Sequence, residues 1–171
     1  MKKKKKIMYA VLFLFEKNDK EYLSQIISKL SNQYESPIFT PHVTAYGLVD
    51  TSLEVLDKII LESINGTKSF NIKKNTISFS DDFWKALFID FNSNDNMLKI
   101  NKHLTKHLSR FSKYEFKPHA SLIYKEMSQE KKQRLANNLE IKNSFKITGI
   151  GIQVFSERIE EWKITREHKL D

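Results

Sequence analysis

The sequence of 171 residues contains no cysteine. Without thiols the chain can form no disulfide framework, no thiolate nucleophile and no cysteine-based zinc site. Such a composition is typical of a reducing compartment, so we expect a cytoplasmic protein. Glycine and proline are also scarce, with 4 and 3 residues, which leaves little room for a flexible linker. No stretch of the sequence approaches the ~18 apolar residues of a membrane span, so we expect no membrane partner.

The net charge of +8 is concentrated near the N-terminus. The run Lys2 to Lys6 carries five of these charges and leaves +3 for the other residues. We interpret residues 1–6 as a disordered basic tail, with contact to nucleic acid or an anionic membrane as the alternative. The apolar stretch 7–15 follows, and together the two segments have the outline of a signal peptide. No small-residue cleavage site follows, so a first β-strand is the better interpretation.

One short pattern occurs twice in the chain. Residues 39–44 and 116–121 both read Phe, any residue, Pro, His, any residue and a hydroxyl residue. With 3 Pro and 5 His in the chain, random placement would give about 0.1 Pro-His pair. We therefore interpret the two segments as two halves of one site.

The elements around the two motifs are predicted to follow the same order. The first half is predicted to contain a strand at 7–15, a helix capped by Asn18 or Asp19, a motif strand at 42–49, a helix opening with a capping box at 51–54, and one or two strands over 70–79. The second half is predicted to contain a strand at 85–91, a helix at 95–111, a motif strand at 119–124, a helix capped by Ser128, and strands at 144–155 and 161–166. Each motif strand thus follows a strand and a helix.

We expect an α+β fold that forms a single domain over residues 7–171. The domain is predicted to consist of two related lobes, at about 7–80 and 84–171. In each lobe a small, mostly antiparallel sheet carries helices on its outer face, and the motif strands face one another across a central groove. We expect the protein to be a monomer.

The spacing within each motif suits phosphate chemistry. In a strand, residues i and i+2 project from the same face about 6.5–7 Å apart, so His42 points with Thr44, and His119 with Ser121. Imidazole titrates near neutral pH, so one ring can accept a proton from water while the other donates one to a leaving oxygen. The hydroxyls can donate to the nonbridging oxygens of a phosphodiester. We predict His42 and His119 as catalytic and Thr44 and Ser121 as phosphate-binding residues.

The other histidines are weaker candidates. His103 and His107 are spaced i, i+4 on a predicted helix, which is compatible with metal binding, but the sequence shows no third ligand and lacks the adjacent Glu of the usual zinc helix. We interpret them as helix-edge residues and His168 as part of a charged tail. The acid-base scheme requires no metal, and we predict no metal site and no cofactor.

Aromatic side chains near the second motif indicate what the phosphate is attached to. Phe83, Trp84 and Tyr124 are candidates for stacking on a base, with a role in the core as the alternative. Tyr46 is equally ambiguous. The lysines of this region either favour an anionic ligand or are solvated; they are Lys85, Lys117 and Lys125.

The paired His-x-Thr/Ser arrangement resembles the two-histidine (2H) phosphoesterase superfamily, with its LigT-like fold. Within it, the chain is most similar to the cyclic phosphodiesterases of plants and yeast. The resemblance rests on Thr-Pro-His-Val-Thr, on Lys-Pro-His-Ala-Ser-Leu-Ile-Tyr with a Glu/Lys-rich helix after it, on the pair Phe83-Trp84 before a strand, and on Trp162 in the last strand. Leu12 stands where the plant enzymes carry a further base-stacking Trp.

This resemblance implies metal-independent hydrolysis of a small cyclic nucleotide. The implied substrates are nucleoside 2′,3′-cyclic phosphates, opened to 2′-phosphates, and ADP-ribose 1″,2″-cyclic phosphate. It also implies that His42 and His119 are the catalytic pair and that Trp84 and Tyr124 flank the base. The sequence does not decide which histidine is the base, and our working assignment is His119 as base and His42 as acid.

Two alternatives remain open. The first keeps the site and changes the substrate, giving a 2′,5′-oligonucleotide or cyclic-oligonucleotide phosphodiesterase, or an RNA 2′-5′ ligase-like enzyme that acts on RNA ends. A long RNA would require an extended basic groove, which the charge of +3 outside the lysine run supports only weakly. The second is a non-catalytic RNA-binding module, which the two matched His/hydroxyl pairs disfavour.

Overall fold

A computed structural model describes residues 6–171 of the chain. Within that range the chain forms seven strands and four α-helices, namely β1 (Tyr9–Phe15), α1 (Lys17–Tyr34), β2 (Val43–Val49), α2 (Leu53–Ile64), β3 (Phe70–Phe79), β4 (Leu87–Phe91), α3 (Asp95–Leu108), β5 (His119–Ile123), α4 (Gln129–Asn138), β6 (Ser144–Val154) and β7 (Lys163–Lys169). Short 3-10 turns at Phe83–Lys85 and Ile159–Glu161 precede β4 and β7. The predicted order of elements is confirmed, and the predicted basic tail lies outside the described residues except for Lys6.

The strands form an antiparallel sheet in the order β2-β1-β6-β3-β4-β5. The first residues of β6 pair with β3, and its later residues pair with β7 along the same edge. The α+β class and the mostly antiparallel sheet are therefore confirmed. Because β6 and β7 extend the sheet that begins with β1 and β2, a sequence boundary at about 80–84 does not separate two sheets.

The two motif strands lie at opposite ends of this strand order. β2 and β5 nevertheless contact each other, so the sheet curls until its end strands meet. Pro41 and Pro118 each stand one residue before the motif histidine, where the strand is about to begin. A proline is tolerated there because an edge strand leaves some backbone N–H groups without a ladder partner.

Helix α1 differs from its prediction at its N-terminus. It begins at Lys17, and neither Asn18 nor Asp19 caps it. Asp19 is instead buried, pairs with the ammonium of Lys142 and accepts a hydrogen bond from the Lys146 backbone N–H at 2.7 Å. The carboxylate thus joins α1 to the start of β6, because a buried charge is stabilised more by a cation and a fixed donor than by a solvated helix end.

Helices α2 and α3 begin at side-chain caps. Helix α2 is capped by Ser52, whose hydroxyl accepts from the Val55 N–H at 3.2 Å, one residue later than the Thr51 cap of the predicted capping box. Asn94 accepts from the first turn of α3. The two helices pack together, and α3 also packs on β2, where the Asn101 amide donates to the Ala45 carbonyl at 2.8 Å. Tyr46 is fully buried and donates to the Ser112 carbonyl at 2.6 Å, so it is a core residue. None of the helices in the described part of the chain is long and apolar enough to cross a membrane.

Candidate active site

The two motif histidines adopt the same local arrangement. The Nδ1 atom of His42 lies 2.7 Å from the Thr40 carbonyl oxygen, and that of His119 lies 2.7 Å from the Lys117 carbonyl oxygen. Because a carbonyl oxygen can only accept, each Nδ1 carries the proton and donates it. Each Nε2 is therefore the nitrogen that remains for proton transfer in the neutral ring. The repeated motif thus produces one tautomer and one ring orientation twice.

The four predicted catalytic and phosphate-binding residues line one cleft of about 310 Å³. In the β1–β2 pairing, Leu12 stands opposite Thr44, and its side chain also lines the cleft. The full lining consists of Ala10, Leu12, His42, Thr44, Gly47, Leu48, Asp82, Trp84, Lys85, Tyr114, His119, Ser121, Tyr124, Gln153, Phe155 and Trp162. The contact between β2 and β5 therefore brings the two motifs to a shared cavity.

Burial lowers the pKa of both histidines. His42 is only 8% exposed, and desolvation, together with the nearby His119, lowers its pKa to about 4 despite the hydrogen bond to Thr40. For His119, desolvation and the Lys85 ammonium lower the pKa, while the carboxylates of Asp90 and Asp82 act in the opposite direction. A low pKa favours the neutral imidazole, the form that can accept a proton from water.

The two hydroxyl residues are placed differently. Thr44 is half-buried at the cleft, whereas Ser121 is buried and donates its hydroxyl proton to the Trp84 carbonyl at 2.9 Å. A hydroxyl has one proton to donate. Ser121 can therefore donate to another acceptor only after it releases the Trp84 carbonyl, and this hydrogen bond connects β5 to the backbone of an aromatic residue at the cleft.

Aromatic rings form one wall of the cleft. Trp84 and Trp162 are stacked, with ring centroids 5.7 Å apart and an interplanar angle of 23°, and Tyr124 meets each of them edge-on at 5.5 Å. Phe155 completes this aromatic wall. Phe83 is not among the described residues that line the cleft, and it packs behind Trp84 and Tyr124.

The charged residues near the motifs have separate positions. Lys85 lines the cleft and lies close enough to His119 to lower its pKa. Lys117 pairs with Glu115 at 3.6 Å, and Lys125 donates to the Tyr34 carbonyl. Of the three lysines considered from the sequence, Lys85 is the one at the cleft.

Several lining residues gave no recognisable signal in the sequence. Tyr114 belongs to the loop after α3, Gln153 lies near the end of β6, and Phe155 directly follows that strand. A Cβ atom on Gly47 would lie 2.6 Å from Cδ2 of Tyr114, so the missing side chain at Gly47 allows the tyrosine ring to lie against the cleft. This approach depends on two segments that are far apart in sequence.

The remaining histidines lie elsewhere. His103 and His107 project from α3 and are not among the described residues at the cleft. His168, on β7, makes a hydrogen bond of 2.8 Å with Asp57 of α2.

Comparison with known proteins identifies the family and the fold. The family model described as cyclic phosphodiesterase-like protein matches residues 12–170. A cyclic phosphodiesterase of Arabidopsis thaliana is 22% identical over 133 residues, which cover 78% of this chain and 74% of that protein. The fold is similar to that of a Thermus thermophilus protein, with a TM-score of 0.67, 9% identity and coverage of 95% and 97% of the two chains. It is also similar to E. coli LigT complexed with 3′-AMP, with a TM-score of 0.64, 12% identity and coverage of 96% and 98%.

Proposed function

The chain belongs to the cyclic phosphodiesterase-like family within the 2H phosphoesterases, and from this membership we propose that it hydrolyses nucleoside 2′,3′-cyclic phosphates to 2′-phosphates. ADP-ribose 1″,2″-cyclic phosphate is the second proposed substrate. The observation that carries the proposal is the pair of identically oriented imidazoles at one cleft, each followed two residues later by a hydroxyl.

In the proposed reaction a water molecule attacks phosphorus and the bond from phosphorus to the 3′ oxygen breaks. One neutral imidazole removes a proton from the water, and the other, protonated, donates a proton to the 3′ oxygen as it leaves. Thr44 and Ser121 donate to the nonbridging oxygens, where negative charge develops. The product keeps its phosphate on the 2′ oxygen, and the two histidines exchange protonation states. This scheme needs no cofactor.

The working assignment of His119 as base and His42 as acid places a condition on the enzyme. With a pKa of about 4, His42 would be protonated in only about one molecule in a thousand at pH 7. It can serve as the acid only if the bound substrate raises its pKa. The negative charge of the phosphodiester, held between the two rings, is the source of that increase.

The size and lining of the cleft favour a mononucleotide. A volume of about 310 Å³ is at the lower end of the roughly 300–1,000 Å³ that is typical of small-molecule sites. The aromatic wall offers ring faces and edges for a base, in the range of about 1–3 kcal/mol per stacked base. We propose that Trp84 and Tyr124 contact the base directly, while Phe83 supports them from behind.

The test is to incubate the purified protein with 2′,3′-cyclic AMP and to follow the products by phosphorus NMR, with and without EDTA. We expect conversion to 2′-AMP that EDTA does not slow. His42→Ala and His119→Ala should each lower kcat/KM by at least about 10²-fold, because each removes a positioned acid or base. Lys106→Ala is the control, since Lys106 is exposed on α3 and lies outside the cleft lining, and it should keep the full rate.

Two results would contradict the proposal. If His42→Ala and His119→Ala variants that are folded by circular dichroism retain full activity, the histidines are not the catalytic pair. If the protein leaves 2′,3′-cyclic AMP and ADP-ribose 1″,2″-cyclic phosphate intact but cleaves a 2′,5′-linked or cyclic oligonucleotide, the substrate class is wrong and the site is retained.

A further inference from the structure

A second group of chemically active side chains lies outside the cleft, between α2 and α3. Glu62 of α2 approaches His103 and His107 of α3, and one potential ligand atom from each lies within 4.8 Å of the other two. The sequence showed the two histidines but no third ligand, since Glu62 is about forty positions away and joins them only when the helices pack together. We propose that Glu62, His103 and His107 bind a zinc ion that bridges α2 and α3.

The geometry is close to that of a zinc site with three protein ligands. Zn–N and Zn–O bonds of about 2.0–2.1 Å place neighbouring ligand atoms of a tetrahedral site about 3.4 Å apart. Oε2 of Glu62 lies 3.6 Å from Nε2 of His103, and the two imidazole rings have centroids 4.6 Å apart. Small side-chain rotations would therefore place all three atoms around one ion. Nitrogen and carboxylate ligands suit zinc, and water would occupy the fourth position.

A second observation at this site concerns the Nε2 atom of His103. This atom is buried and has no hydrogen-bond partner among the described residues. A distance of 3.6 Å to Glu62 is too long for a hydrogen bond, so the carboxylate does not satisfy this nitrogen. Buried polar atoms of this kind are uncommon and often mark the position of an ion or a water molecule. A zinc ion would satisfy Nε2 and at the same time neutralise the charge on Glu62.

The proposed zinc site is separate from the catalytic cleft but connected to it through α3. None of its three residues is among those that line the cleft. On the adjacent side of α3, Asn101 donates to the Ala45 carbonyl of β2, one residue after Thr44. A zinc bridge would therefore hold α2 and α3 together behind the first motif strand and stabilise the fold there, without taking part in the chemistry.

The test is zinc titration by isothermal calorimetry. The background should be the full chain carrying His42→Ala and His119→Ala, which removes the cleft histidines as competing ligands. We expect one zinc ion per chain, with affinity reduced at least tenfold by His107→Ala and by Glu62→Gln. Lys106→Ala, an exposed substitution on the same helix, is the matched control and should bind zinc as the background does.

A second measurement separates a bridging site from adventitious surface binding. At a zinc concentration one hundred times the dissociation constant, the melting temperature should rise by roughly 5–10 °C. The His103→Ala/His107→Ala pair should abolish this rise. The proposal is overturned if zinc does not bind at concentrations up to about 100 μM, a weak affinity for a site with three protein ligands. It is overturned equally if Glu62→Gln and His107→Ala bind zinc as tightly as the control.

Discussion

Binding of a phosphate in the cleft is expected to raise the pKa of His42 from about 4 to near neutrality. A unit negative charge about 4 Å from the imidazolium contributes about 4 kcal/mol at an effective dielectric constant of 20. Since one pKa unit corresponds to about 1.4 kcal/mol, the increase amounts to about 3 units. The burial of His42 keeps this interaction from being weakened by bulk water.

The measurement is an NMR titration of the histidine ring protons, first in the free protein and then with the product 2′-AMP in excess. The chain has five histidines. His42 and His119 should both shift upward on addition of 2′-AMP, and His42 should start from the lower value. The histidines outside the cleft lining are internal controls and should not move; they are His103, His107 and His168.

Either of two outcomes would contradict this prediction. If His42 already titrates near its ordinary value of 6.5 in the free protein, burial does not destabilise its charged form as the structure implies. If it titrates near 4 both with and without 2′-AMP, the bound phosphate does not lie beside it, and His42 cannot act as the acid at neutral pH.

Two further predictions concern stability. The pKa of His42 is about 4 in the folded protein and 6.5 in the unfolded chain, so the unfolded state binds more protons at pH values between the two. The free energy of unfolding should therefore fall by about 3 kcal/mol as the pH drops from 6.5 to 4. Urea denaturation at both pH values measures the free energy of unfolding. The His42→Gln variant should lack the contribution of His42 to this decrease. If the variant shows the same decrease as the unsubstituted protein, His42 is not its source. Asp19→Ala should lower the free energy of unfolding by about 2–3 kcal/mol, because the buried N–H of Lys146 loses its acceptor and Lys142 loses its partner. The control Glu21→Ala, on the exposed face of α1, should change the free energy of unfolding by less than about 0.5 kcal/mol. Equal effects of the two substitutions would show that the contacts of Asp19 do not stabilise the fold.

The elements and the repeated motif were predictable because they depend on local chemistry. Apolar spacing marks α2 and α3, and the hydroxyl residues at 51–52 mark the start of α2, although Ser52 rather than the predicted Thr51 is the cap. Alternation and length mark the strands, which the structure places within a few residues of their predicted bounds. The start of α1 was predicted wrongly because Asp19 satisfies the local rule for a cap but forms a stronger set of contacts with the distant Lys142 and Lys146.

The roles of the aromatic and polar side chains were only partly predictable. Trp84 and Tyr124 were candidates for the cleft wall, and both line it. Phe83 is also aromatic and directly precedes Trp84, yet its ring packs against Trp84 and Tyr124 without lining the cleft, since adjacent residues in a tight turn point in different directions. Phe155 directly follows β6, and no local pattern indicates the strands that pair with β6 and so place this residue at the cleft.

The candidate chemical groups could be identified from sequence alone, because a Pro-His-x-hydroxyl repeat places an imidazole and a hydroxyl on the same face of a strand. Tertiary structure alone decided how deeply those groups are buried and what else contacts them. The pKa of His42, the hydrogen bond from Ser121 to Trp84 and the approach of Glu62 to His103 all depend on segments brought together by packing. Desolvation and distances across the fold are properties of three-dimensional neighbours, and a linear pattern does not contain them.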